Sequence, residues 1–241
     1  MFLNTITIMH YKNPYIETCM EASSSVFKNL NQKEKDILVQ HHEVSHFRKG
    51  EILFSDGEKA EDLIYLVTGK VKIFKVGVGG REQILRMIKP NELIGLRALL
   101  SETPFTASAA AIEDSTICKI EREPFIKIVR NNAELSFKFM NILAQVLGFS
   151  NNRTASLTQK HIRGRLAESI LILRDTYGLD DDGKTIKVYL SREDIAHLSN
   201  MTTSNAIRTL SIFASEEVIA LEGRKIKLLD STRLEKISEL G

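Results

Sequence analysis

The stretch Leu190–Phe213, "LSREDIAHLSNMTTSNAIRTLSIF", decides how the rest of the chain is read. Ser191 followed by Asp194 resembles a capping box, so a helix starts there. Ala196 is small enough for two helices to cross closely, and Asn200 stands where a tight turn favours a left-handed residue. Thr202 then caps a second helix. Along it Ala206, Leu210 and Phe213 fall on one face and turn toward a core shared with Ile195 and Leu198. The opposite face carries Ser204, Arg208 and Ser211, flanked by Thr203, Asn205 and Ile207. An ordinary solvated helix face has a similar composition. Yet short hydroxyl donors with one arginine, on the N-terminal half, are what a helix entering a DNA major groove needs. The hydroxyls reach phosphates, the arginine pairs with guanine, and Ile207 meets a thymine methyl.

Working outward, "VIALEGRKIKLLD" (Val218–Asp230) reads as a strand–turn–strand hairpin that brings Arg224 and Lys225 to phosphates. Upstream, "IRGRLAESILILRDTYG" is an amphipathic helix stopping at Gly178, followed by the acidic loop "LDDDGK" and a β-leaning "TIKVYL". That order is a winged helix. From Lys160 onward acidic and basic residues are equal in number, so DNA contact has to come from placement rather than bulk charge. The candidate contact set is Ser191, Arg192, Thr202, Thr203, Ser204, Asn205, Ile207, Arg208, Ser211, Arg224 and Lys225.

Two further segments precede it. From about Val44 to Ile120, short apolar runs alternate with turns at Gly50, Gly57, Gly69 and Gly79-Gly80, the pattern of an antiparallel roll, barrel or sandwich. From about Glu123 to Gln159 the period becomes helical, with two apolar stripes. Phe139, Ile142, Val146 and Phe149 form one, and Met140, Leu143, Leu147 and Ser150 the other. One stripe covers the β-domain and the other meets a second copy; the first is read here as the dimerisation face. The alternative is a helix buried on both sides within a monomer.

Composition excludes several classes. A length of 241 residues suits two domains, and a net charge of +2 says little alone. Cys19 and Cys118 cannot build a disulfide framework or a four-thiolate metal site. The N-terminus lacks the pattern of a signal peptide, and no run is long and apolar enough to span a bilayer, so a cytoplasmic protein is expected. No nucleophile–base pair, metal-ligand spacing or phosphate-cradling glycine loop speaks for an enzyme.

The order β-roll, long helix, winged helix-turn-helix resembles the CRP/FNR family, from about residue 25 to the end. "FRKGEILFSDGEKAEDLIYLVTGKVKIFK" is similar to its roll signature and "LIGLRALL" to its short ligand-site helix. "RGRLAESILIL" and "LSREDIAHLSNMTTSNAIRTL" are similar to its DNA-binding domain. The resemblance implies an α+β protein: residues 1–130 as lead and effector-sensing antiparallel β-roll, 131–159 as dimerisation helix, 160–241 as winged helix-turn-helix. It implies a homodimeric, sequence-specific transcriptional regulator of double-stranded DNA, allosterically controlled, with RNA polymerase as a further partner. A sensor that regulates a protein instead of DNA is the alternative.

The departures point away from the family's usual effector. Where cyclic-AMP binders carry Gly-Glu and Arg-Ser, this chain has Gly95-Leu96 and Thr106-Ala107. A cyclic phosphate would lack its neutralising arginine, which argues against cyclic AMP. Arg97 is expected to point outward. Gly95, Leu96, Arg97, Thr106 and Ala107, with Ser150 and Asn151 on the long helix, form the candidate effector pocket, which either takes an unlike, more apolar ligand or has closed into core. One N-terminal cysteine is too few for an iron–sulfur cluster. The histidines of "HHEVSH" (His41, His42, His46) are expected to be surface residues, not haem ligands. No cofactor or metal is expected, and the effector stays unnamed. Thr203-Ser204 replaces a family pair containing glutamate, while Arg208 is retained, which implies the same docking on a different operator.

Overall fold

The computed structural model describes residues 14–22 and 25–241; the N-terminal lead and the side chain of Cys19 lie outside the described residues. Two short helices, α1 (Pro14–Glu21) and α2 (Gln32–Gln40), precede eight strands. These are β1 (His42–Phe47), β2 (Ile52–Phe54), β3 (Asp62–Thr68), β4 (Val71–Val76), β5 (Glu82–Ile88), β6 (Leu93–Ile94), β7 (Ser108–Ala111) and β8 (Ser115–Glu121), with helix α3 (Leu96–Ser101) between β6 and β7. They form two antiparallel four-stranded sheets, ordered β1-β8-β3-β6 and β2-β7-β4-β5, the two walls of a roll.

Strand β3 shows why the apolar runs are continuous. Ile64 and Leu66 point between the sheets toward Val71, Ile88 and Ile117, whereas Leu63 and Tyr65 point outward onto helices. A strand covered on both faces has no polar side to alternate with. Gly69, between β3 and β4, has φ +89°, and a Cβ there would lie 2.2 Å from Ser115 Oγ, so the hairpin needs glycine.

Helix α4 (Arg122–Asn131) ends at Asn132, whose side chain caps the 27-residue α5 (Ala133–Gln159) by accepting from the Leu135 amide. The break splits what reads in the sequence as one helical segment. The winged helix follows: α6 (Ile162–Tyr177), α7 (Arg192–Leu198), α8 (Thr203–Ser215), the hairpin β9 (Ile219–Glu222) and β10 (Lys225–Leu228), and α9 (Ser231–Leu240). Its core includes Leu166, Ile170, Ile195, Leu210 and Phe213, and continues into Phe74, Ile84 and Met87 on the outer face of the second sheet.

Several expectations are corrected. "SAAA", which stands apart from the apolar runs of the β-segment, is an inner strand, β7; its alanines fit where β2 and β4 flank it and both faces are buried. "TIKVYL" is extended chain with two isolated bridges, at Thr185 and Ile186, rather than a strand. His42 and His46 lie in β1 itself, and His41 caps α2.

The larger correction concerns α5. Phe139 is 2% exposed and packs edge-on against Phe125, with ring centroids 5.4 Å apart. Ile142 packs on the same core, and Val146 and Phe149 line cavities facing the roll and α6. The stripe read as the dimerisation face therefore covers this chain's own roll. The outward line is instead Phe137, Met140, Ala144 and Leu147, with Phe137, Met140 and Leu147 58–62% exposed.

Candidate functional site

The helix-turn-helix is built by local capping. Ser191 Oγ accepts from the Asp194 amide at 2.9 Å and starts α7. Asn200 takes φ +50° at the turn, the left-handed conformation asparagine tolerates. Thr202 Oγ1 accepts from the Asn205 amide at 3.3 Å and starts α8. Ala206, Leu210 and Phe213 are fully buried, so the face bearing Thr202, Ser204, Ile207, Arg208 and Ser211 is exposed, with Thr203 and Asn205 half-buried beside it. Arg208 donates to Asn205 Oδ1 at 3.0 Å, and Ser211 to the Ile207 carbonyl at 3.0 Å. The contact set spans this face and the wing, but its members have different tasks. Ser191 is spent on the cap and on Asp194. Arg192 donates to the Gly223 carbonyl at 2.7 Å, tying α7 to the wing turn. Arg224 and Lys225 are exposed on that turn, Lys225 with its Nζ 5.6 Å from the Tyr189 ring centroid.

The second feature is a cavity of about 370 Å³ between the roll and α5, lined by Gly95, Leu96, Arg97, Thr106, Ala107 and Ser150, among others. Gly95 holds φ +80° at the start of α3; a Cβ there would lie 2.8 Å from the Phe105 ring, which stacks on Phe54 with centroids 3.8 Å apart. Leu96, where cyclic-AMP binders carry glutamate, is buried in the apolar wall. Arg97 is exposed, yet its guanidinium donates to Thr106 at 3.1 Å and Thr103 at 3.3 Å, so it bridges the cassette as well as pointing outward. Asn151 is exposed and does not line the cavity; one residue beyond Ser150 along a helix turns it toward the outward stripe.

Sequence reasoning missed the residue joining the two features. Arg153 of α5 is 6% exposed and lines the cavity. It donates to Glu168 at 2.7 Å and Ser169 at 3.0 Å on α6, and to the Leu198 carbonyl that closes α7. Its Nε is buried without a partner. Burial pulls this guanidinium below its ordinary pKa, with Glu168 acting in the opposite direction. The only signal in the sequence was an arginine within the otherwise uncharged second half of α5. A second link joins roll and α7: Lys72 of β4 contacts Glu82 at 2.8 Å and Asp194 at 2.9 Å, and Arg81 donates to Asn200. Burial raises Asp194's carboxyl pKa, but hydrogen bonds from Ser191 and Lys72 outweigh it and leave the net value below the ordinary range.

Nothing in this geometry is arranged as a metal centre: among the described residues no cluster of three His, Cys, Asp or Glu side chains could hold an ion. Nδ1 of His41, His42 and His46 is engaged respectively by Glu121, the Val39 carbonyl and Thr116. No described helix is long and apolar enough to cross a membrane.

Residues 44–132 match the family model of the cyclic nucleotide-binding domain, and residues 164–237 match that of the Crp-like helix-turn-helix domain. The chain belongs to the CRP/FNR family of transcriptional regulators. Among relatives, the CRP-like cAMP-activated global transcriptional regulator of Mycobacterium tuberculosis is 27% identical over 214 residues, 88% of this chain and 96% of that one. The transcriptional activator protein Anr of Pseudomonas protegens is 22% identical over 231 residues, 95% of this chain and 94% of its own length. Among solved structures, FixK2 of Bradyrhizobium japonicum aligns with a TM-score of 0.73 at 25% identity, over 81% of this chain and 96% of that one. This CRP/FNR protein is thus a DNA-binding transcriptional regulator and not an enzyme.

Proposed function

We propose that this regulator works as a cytoplasmic homodimer that reads a pseudo-palindromic operator under control of an effector other than cyclic AMP. Residues 1–130 form its lead and sensing roll, 131–159 the dimerisation helix and 160–241 the DNA-binding unit. The observation that carries the reading is the outward stripe of α5. Phe137, Met140, Ala144, Leu147 and Asn151 recur at alternating intervals of three and four, the seam of a two-stranded coiled coil. Asn151 at one seam position suits a fixed register, since a lone buried asparagine pairs best with its copy. Such a dimer presents two α8 helices, which would enter successive major grooves about 34 Å apart.

Within each half-site Arg208 is the base-reading residue, supported by Ser204, Asn205, Ile207 and Ser211, while Thr202, Thr203, Arg224 and Lys225 hold phosphates. RNA polymerase is the further partner. The loss of the glutamate and arginine that grip a cyclic nucleotide supports a different effector. With two cysteines in the whole chain, Cys19 and Cys118, a four-thiolate iron–sulfur cluster has no ligand set, which supports an effector of another kind. The test is selection of a duplex from a random pool, followed by fluorescence anisotropy with wild type and Arg208→Ala. Discrimination at one base pair of each half-site should relax in the variant; equal binding and equal sequence preference would remove Arg208 from the interface.

A further inference from the structure

The lining of the cavity between the roll and α5 has an uneven chemistry. Its charged residues are three arginines, Arg86, Arg97 and Arg153, with no carboxylate, and most of the remaining wall is aliphatic or aromatic. Two of the charges are answered from outside the lining. Arg86 pairs with Glu92 at 3.3 Å and Arg153 with Glu168 at 2.7 Å. Arg97 pairs with no carboxylate among the described residues; its guanidinium rests on two threonine hydroxyls. The site therefore carries one uncompensated positive charge at its mouth. A second donor, Nε of Arg153, is buried in the wall without an acceptor, which native interiors rarely leave so.

We infer that the ligand of this cavity is a monocarboxylate with an apolar body, the carboxylate held by Arg97 and the body among Ile73, Ile94, Leu143 and Val146. The inference rests on the reading of the chain as an effector-controlled regulator. A single unanswered guanidinium matches one negative charge and two acceptor oxygens, the bidentate pairing arginine makes with a carboxylate. A phosphomonoester brings about two charges and three acceptors, for which the lining has no second free cation. A polar body would lose its hydration against this wall without recovering hydrogen bonds. A long, mostly apolar acid loses little on entering and gains from each methylene it buries. Leu96 has a role in this scheme: it removes the acidic group at the cassette and extends the apolar surface to within one residue of Arg97.

The test uses the full-length protein, with decanoate, decanol, decyl phosphate and cyclic AMP as probes below any micellar concentration, and isothermal titration calorimetry as readout. Decanoate should bind saturably at one site per chain, about tenfold or more tighter than decanol, as a charge-assisted hydrogen bond implies. Arg97→Gln should lose that tenfold and bind decanoate and decanol alike. Because Arg97 is exposed, its thermal unfolding should match wild type, which separates loss of the charge from loss of the fold. The inference is overturned by equal affinity for decanoate and decanol, by no saturable decanoate binding, by tighter binding of decyl phosphate or cyclic AMP, or by an Arg97→Gln protein that keeps its preference for the acid. Binding to the selected duplex is measured on the same preparation with and without decanoate, and failure means no binding in either condition. Its failure beside intact decanoate binding would sink the regulator reading and leave the cavity's assignment standing.

Discussion

Replacing Arg153 by leucine would cut the joint between α5 and the winged helix. The substitution removes donors from Glu168, Ser169 and the Leu198 carbonyl. Breaking a buried ion pair from one side typically costs about 3–5 kcal/mol, because the remaining charge is stranded. Here Glu168 is not stranded: it keeps Ser156 at 2.7 Å and Lys160 at 3.3 Å. The Leu198 carbonyl loses its side-chain donor, worth about 1–3 kcal/mol, and leucine returns part of the apolar contact. The expected cost is about 2–4 kcal/mol, and it should be local. Hydrogen exchange read by mass spectrometry is the suitable assay, since a multidomain protein need not unfold in one step. Amides of α7 and the first turns of α6 should exchange about 30- to 1,000-fold faster, the equivalent of that free energy, while β3 and β8 keep their protection. Uniform acceleration across the roll, or less than about threefold in α6 and α7, would refute the claim that Arg153 is a joint.

The other expectations follow from single contacts. Leu147→Asp puts a charge into the outward seam of α5 and should give folded monomers by light scattering, whereas Val146→Asp should disturb the cavity instead. Lys225→Ala should weaken all duplexes alike and lower the slope of log affinity against log salt by about one, while Arg208→Ala should cost about 1–3 kcal/mol at one base pair only. Gly95→Ala forces a left-handed alanine against Phe105 and should lower stability by about 2 kcal/mol in chemical denaturation. Asp194's net carboxyl pKa lies below its ordinary value, so its contribution to docking is present above about pH 4 and is lost as pH falls through the folded value. Asp194→Asn should loosen α7 on the roll at pH 7, seen by hydrogen exchange, and flatten the pH dependence of that exchange below about pH 4.

How much of this was legible in the sequence depended on how local the cause was. The caps at Ser191 and Thr202 and the left-handed Asn200 act within one helical turn, so the helix-turn-helix could be drawn from about two dozen residues. Gly69 was legible for the same reason. The alanine run Ser108–Ala111 was not, because alanine has weak strand preference and only the flanking β2 and β4 make it one. The two stripes of α5 were visible as a period, but which one faces outward depends on where the roll sits. That is set by Phe125 and the outer residues of β3 and β8, far away in sequence. Arg153 was hidden more deeply: its partners lie 15 to 45 positions downstream, on two other helices.

The placement of these groups on α5 bears on how an effector could act at all. At about 1.5 Å per residue, its 27 residues span about 40 Å, enough to carry three faces along one rigid body. One face packs on the roll through Leu135 and Phe139, one closes the cavity through Val146 and Ser150, and one is the outward seam. Arg153 lines the cavity and at the same time reaches Glu168 and Ser169 of α6. A ligand that moves α5 against the roll by a fraction of an ångström shifts Arg153 relative to Lys72, and both grip α7. The two grips come from different elements, so a shift of α5 against the roll changes where they sit relative to one another. A ligand with different affinity for the two arrangements would therefore set the orientation of α8, and one with equal affinity would set nothing.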